Sequence, residues 1–145
     1  MTRTLVIGYG NTLRGDDGAG IRAAERVAAC LPDVDCLCVH ELQPELAETI
    51  SLYDNVFFLD ATIRSERLQQ STLEPGSAAP DGSHTLTPAT LLSLSQTLYR
   101  RLPQSATLIE IPALKCDFGE KLSPETEDFV NACVEQVQHS LTEPR

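Results

Sequence analysis

The sequence has no apolar run approaching the roughly 20 residues that a membrane-spanning helix needs. It has no basic cluster longer than the pair Arg100–Arg101. Lys+Arg number 11 against 21 Asp+Glu, for a formal net charge of -10. This balance argues against nucleic acid or an anionic membrane as partner, since both need a basic footprint. The apolar start Met1–Gly8 is too short for a signal-peptide core, so the expected compartment is the cytoplasm. CxxC pairs are absent too. The cysteines Cys30, Cys36, Cys38, Cys116 and Cys133 are odd in number and sit mostly in apolar segments, as buried reduced thiols would. Cys36 and Cys38 share one side of a strand, which makes a weak soft-metal pair. A Gly-x-Ser-x-Gly elbow, a His-Glu-x-x-His helix and a clear Cys/His dyad are all missing, which removes the commonest hydrolase readings.

What remains is an ordinary globular composition, 41% hydrophobic and 22% charged over 145 residues, with no internal repeat or linker. Residues 1–145 therefore read as a single domain, frayed from Thr142. Thr4–Gly8 reads as a buried parallel strand and Tyr9–Gly20 as a glycine-rich loop. Ile21, Ala24, Val27, Ala28 and Leu31 recur at helical spacing until Pro32. Val34–Val39 is a second strand, a helix follows Pro44, and Asn55–Asp60 is a third strand ending on an acid. Leu68–Leu73 is a weaker edge strand. Thr87-Pro88 opens a helix with Thr87 as N-cap and a stripe of Leu91, Leu94, Leu98 and Leu102. Ala106–Ile111 is a further strand. Ser123-Pro124 repeats the helix start before a final helix that buries Val130, Cys133, Val134, Val137 and Leu141. This alternation predicts one α/β domain with helices on both faces of a mostly parallel sheet.

In such sheets ligands bind beyond the carboxyl ends of the strands. The loop after the first strand lacks the third glycine of a dinucleotide fingerprint, because position 13 is Leu, and it lacks a P-loop lysine. Asp16 and Asp17 would repel a phosphate at this helix start. Acids beside glycines suit a cation or a polar backbone better, although either acid could instead cap the helix. Asp60 closes an apolar strand at the same edge. His84 lies in the loop Asp81-Gly-Ser-His-Thr85, where Gly82 frees the backbone. His139 reads as a solvated residue at a helix end, and His40 as a turn or rim residue. Asp17, Asp60 and His84 together offer two oxygens and one nitrogen to a borderline divalent ion such as nickel, zinc or manganese. An acid-protease carboxylate pair is a weaker reading, because the Asp-Thr-Gly signature is missing.

The chain resembles the nickel–iron hydrogenase maturation endopeptidases. The matching residues are Val6-Ile-Gly-Tyr-Gly-Asn-Thr-Leu-Arg-Gly-Asp-Asp-Gly-Ala-Gly20, Phe58-Leu-Asp-Ala61, Ser83-His-Thr-Leu-Thr-Pro-Ala-Thr-Leu-Leu92 and Phe118-Gly-Glu-Lys-Leu-Ser-Pro124. The resemblance implies a three-layer α/β/α fold whose sheet has about five strands, one antiparallel. It implies an aspartyl-type endopeptidase that removes a C-terminal extension from the hydrogenase large-subunit precursor. Nickel would be supplied by that precursor, not held tightly by the free protease. The family's nickel-contacting positions fall on Asp17, Asp60 and His84, with Asp17 and Asp60 expected to be catalytic. Asn11, Asp16 and Gln43 are expected at the substrate. The segment Val39-His-Glu-Leu-Gln-Pro-Glu-Leu46 departs from the glycine- and threonine-rich stretch of many relatives; Glu41 or Gln43 stands in its place. The competing reading is a non-catalytic α/β module that binds a metal or small ligand. A nucleotide enzyme is disfavoured by the missing glycine and the paired acids.

Overall fold

The computed structural model describes residues 2–76 and 86–142. Five strands form one sheet: β1 (Thr4–Tyr9), β2 (Asp35–Val39), β3 (Asn55–Thr62), β4 (Gln69–Thr72) and β5 (Ser105–Pro112). Four helices accompany them: α1 (Ala19–Cys30), α2 (Leu46–Ile50), α3 (Pro88–Tyr99) and α4 (Pro124–Thr142). The strand order is β2-β1-β3-β5-β4, parallel throughout except for β4, which runs antiparallel to β5. The sheet is sandwiched as the alternation of elements requires. One face carries Val6, Phe57, Leu59, Ile109 and Ile111 against Ala23, Ala24 and Val27 of α1 and Val130, Cys133 and Val137 of α4. The other carries Leu5, Ile7, Val56 and Phe58 against Ala47 and Ile50 of α2 and Leu91 and Leu92 of α3. Each central strand is apolar on both sides because helices cover both sides.

Three expectations change. The glycine-rich segment is loop only as far as Arg14. A 3-10 turn over Gly15–Gly18 leads straight into α1, which begins at Ala19 instead of Ile21. The glycines there serve close packing: a Cβ on Gly20 would stand 2.2 Å from the Leu59 carbonyl oxygen. In α3 the expected cap is present, with Thr90 N–H donating to Thr87 Oγ1, but Leu98 is 62% exposed. The helix stops at Tyr99, with Arg100 in the left-handed region at φ 54°, so the buried face falls on Leu91, Leu92 and Ser95. Of the thiols only Cys133 is buried, and Cys30, Cys38 and Cys116 are exposed. Helix α4 extends through Thr142, the position from which fraying was expected. No helix among the described residues is long and apolar enough to cross a membrane.

Candidate active site

Strand β1 leads through α1 to β2 on one side, whereas β3 leads on to the other half of the sheet. The strand order thus reverses between β1 and β3, and the crevice beyond their carboxyl ends is where such a sheet binds ligands. Asp17 and Asp60 both stand at that crevice.

Asp17 is placed by the fold-back of the first loop. Gly10 has φ 140°, and a Cβ there would lie 2.2 Å from the Asp17 carbonyl oxygen, so the loop closes only over glycine. Asn11 N–H donates to Asp17 Oδ2 at 3.0 Å, and Asn11 Oδ1 accepts from Leu13 N–H at 2.9 Å. Arg14 N–H then donates to the Asn11 carbonyl and Asp17 N–H to the Arg14 carbonyl, both at 3.1 Å. The result is a half-buried carboxylate at the start of the 3-10 turn. Asn11, expected at the substrate, shapes this loop.

Asp60 lies in the row that crosses the sheet at its rim. Gly8 pairs with Leu59, and Asp60 itself with Glu110, so Tyr9 and Glu110 flank it on either side. Burial pushes the Asp60 carboxyl up to about 7. The Tyr9 hydroxyl and the Ala61 N–H donate to it and pull the other way, while the charges of Glu110 and Asp17 push it further up. The Tyr9 phenol is itself driven well above its ordinary value by burial and by Asp60.

Asp16 is turned away from the crevice. It is 0% exposed, and its two oxygens take five hydrogen bonds: from the N–H groups of Leu114, Lys115 and Ser123 and from the hydroxyls of Ser123 and Thr126, at 2.7–2.9 Å. Burial raises its pKa, but the Ser123 hydroxyl and the three N–H groups outweigh it and bring the carboxyl down to about 2. The substrate role expected of Asp16 is thus replaced by a structural one. It pins segment 114–126 to the loop that carries Asp17. Gln43 is exposed and lines a cleft of about 440 Å³ with Val39, His40, Glu41, Glu45 and Leu46. That cleft adjoins the first loop, since Gly10 N–H donates to the carbonyls of Val39 and His40 at 3.3 and 3.2 Å. His84 lies outside the described residues. Among the described residues, no three His, Cys, Asp or Glu side chains gather closely enough to hold a metal ion.

Sequence reasoning passed over Tyr9 and Glu110. Glu110 carries the signal that singled out Asp60, an acid near the carboxyl end of an apolar strand. Tyr9 stands directly after the strand glycine of the first motif.

A central switch point with two carboxylates, beside a loop that closes over Gly10, defines a ligand crevice of an α/β/α fold. Comparison with known proteins narrows this. No protein-family model matches the chain, and no curated protein matches it. Solved structures do. The hydrogenase 2 maturation peptidase from Thaumarchaeota archaeon SCGC_AB-539-E09 is 29% identical, with 97% of this chain and 98% of that chain covered and a TM-score of 0.72. The hydrogenase maturating endopeptidase HybD from E. coli is 22% identical over 96% of this chain and 91% of its own, with a TM-score of 0.75. The [NiFe] hydrogenase maturation protease HycI from Thermococcus kodakarensis KOD1 is 23% identical over 98% and 94%, also at a TM-score of 0.75. By fold and by the order of its motifs, the chain is similar to the hydrogenase maturation endopeptidases.

Proposed function

We propose that the protein is the endopeptidase that trims a C-terminal extension from the precursor of a nickel–iron hydrogenase large subunit, and that it reads the precursor's nickel as the mark of a finished substrate. The observation that carries this reading is the meeting of Asp17 and Asp60 at the switch point of a fold shared with named maturation peptidases over nearly the whole chain. Two carboxylates with His84 are an incomplete, thiolate-free donor set, suited to a borderline ion that arrives already held by the precursor. Docking then adds Asp17, Asp60 and His84 to that ion, and an unloaded precursor loses the contact. A tenfold preference for loaded precursor needs only about 1.4 kcal/mol.

The extension lies in the cleft lined by Gln43 and Leu46, beside the first loop. The Asp17 carboxylate, half-buried at the crevice and held on one oxygen by Asn11, takes the proton of the attacking water. Water adds to the scissile carbonyl, Asp17 passes the proton to the leaving nitrogen as the C–N bond breaks, and the products are a new carboxyl end and a free amine on the released peptide. Processing would be followed by mass spectrometry of purified, nickel-loaded precursor. The wild-type protein shortens the precursor, whereas Asp17→Asn, Asp60→Asn and His84→Ala, each shown to be folded, lose roughly 100-fold or more in rate. An unchanged precursor mass, or normal rates in all three variants, overturns the reading.

A further inference from the structure

Four of the seven large apolar side chains exposed among the described residues gather at one rim of the molecule: Leu13 (49%), Ile63 (80%), Leu114 (54%) and Phe118 (83%). Backbone pairing brings them there. Gly119 N–H donates to the Leu13 carbonyl at 2.8 Å, Gly15 N–H donates to the Gly119 carbonyl at 2.7 Å, and Arg14 bridges Gly119. Leu114 N–H is bound to Asp16, and Ala113 N–H to the Thr62 carbonyl at 2.8 Å, next to Ile63. The apolar side chains thus project from a frame fixed to the loop of Asp17 and to the end of the strand of Asp60. Buried Asp16 locks that frame. An aromatic side chain held in water on a pinned loop has no packing role in this chain, and an exposed apolar patch at a site rim marks a contact surface.

We infer that this rim, centred on Phe118, is the docking surface for the folded body of the precursor, as distinct from its extension. The inference rests on the processing reading. Three features commit the surface to that partner. It is continuous with the crevice, so a protein seated on it presents its chain end to Asp17 and Asp60. Its frame is rigid, which suits a preformed protein surface better than a loose peptide. Its exposed charges are also basic on balance in an acidic chain: Arg14, Lys115 and Lys121, the last two being the only lysines, outnumber Asp117 and Glu120 at the surface, while Asp16 is buried and Asp17 half-buried. The counter-surface is therefore apolar with an acidic edge.

The test is Phe118→Asp. The side chain is exposed, so the variant keeps the wild-type melting temperature. Calorimetric titration with purified nickel-loaded precursor gives a dissociation constant at least tenfold higher. The KM for processing rises in step, and kcat stays within about twofold. Ile63→Ser, on a separate loop, shifts KM in the same direction. Equal binding by both variants overturns the inference, as does a loss confined to kcat. Sedimentation showing a wild-type dimer that Phe118→Asp dissolves also overturns it, because the occupant is then a second copy. A wild-type protein that binds the precursor without shortening it sinks the processing reading and leaves this surface standing. Efficient shortening by both variants does the reverse.

Discussion

Asp16, in the turn before α1, and Asp60, near the carboxyl end of β3, are driven by their surroundings to opposite ionisation states. Asp16 meets five donors and stays ionised down to about pH 2. Asp60 is desolvated beside two other carboxylates and keeps its proton to about pH 7. The consequences for stability have opposite signs. Asp16 contributes stability above the unfolded carboxylate value, near pH 4, and that contribution is lost as the pH falls toward 2. Asp16→Ala leaves three N–H groups and two hydroxyls without their acceptor, so it lowers stability by about 3–5 kcal/mol, measurable by urea titration at neutral pH. Ionised Asp60 burdens the fold, so its part of the stability declines as the pH rises from about 4 to about 7. Asp60→Asn retains an acceptor for the Tyr9 hydroxyl and lifts that burden. The variant is expected to be more stable than wild type by roughly 2–4 kcal/mol above pH 7, with the gap closing below pH 4, while processing is lost. Both acids stood out in the sequence as polar residues among apolar or glycine-rich neighbours. Their division of labour did not, because Asp16's partners lie about 100 positions away along the chain.

The elements that a local signal specifies were read correctly from residues alone. Thr87-Pro88 and Ser123-Pro124 carry the cap and the first-turn proline, and α3 and α4 begin there. Thr87→Ala should lower the melting temperature through a loss of about 1 kcal/mol, with no change in kcat. Where tertiary packing overrides a local signal, the reading slipped. Glycines 15, 18 and 20 suggested a loop, but they lie in a 3-10 turn and the first turn of α1, where Gly15 abuts segment 115–121, Gly18 abuts Thr12 and Gly20 abuts the ends of β1 and β3. Gly20→Ala drives a methyl group into the Leu59 carbonyl. It should cost about 1–3 kcal/mol by thermal denaturation and reduce processing as well, since α1 begins two residues after Asp17. The leucine stripe of α3 was drawn one turn too long because the left-handed Arg100 ends the helix before Leu102 can join it. Edge strand β4 was visible between Leu68 and Leu73, but its direction followed only from the family resemblance, since four exposed polar residues carry no directional signal.

The sandwich was legible at the scale of the whole molecule because strand and helix periods alternate cleanly and short connections leave few ways to wind them. The strand order was not, and it is the order that turns the gap between β1 and β3 into a crevice. Folding adds a constraint that the finished architecture conceals. Asp16 in the turn after β1 is satisfied only by donors about 100 positions further on, from Leu114, Lys115, Ser123 and Thr126. During synthesis both carboxylates of the crevice emerge early, yet the loop that presents Asp17 lacks its full set of anchors until segment 114–126 arrives. A ribosome-bound chain stopped before residue 114 therefore holds Asp17 and Asp60 in a slack frame, and the crevice is completed only when the distant donors to Asp16 have docked.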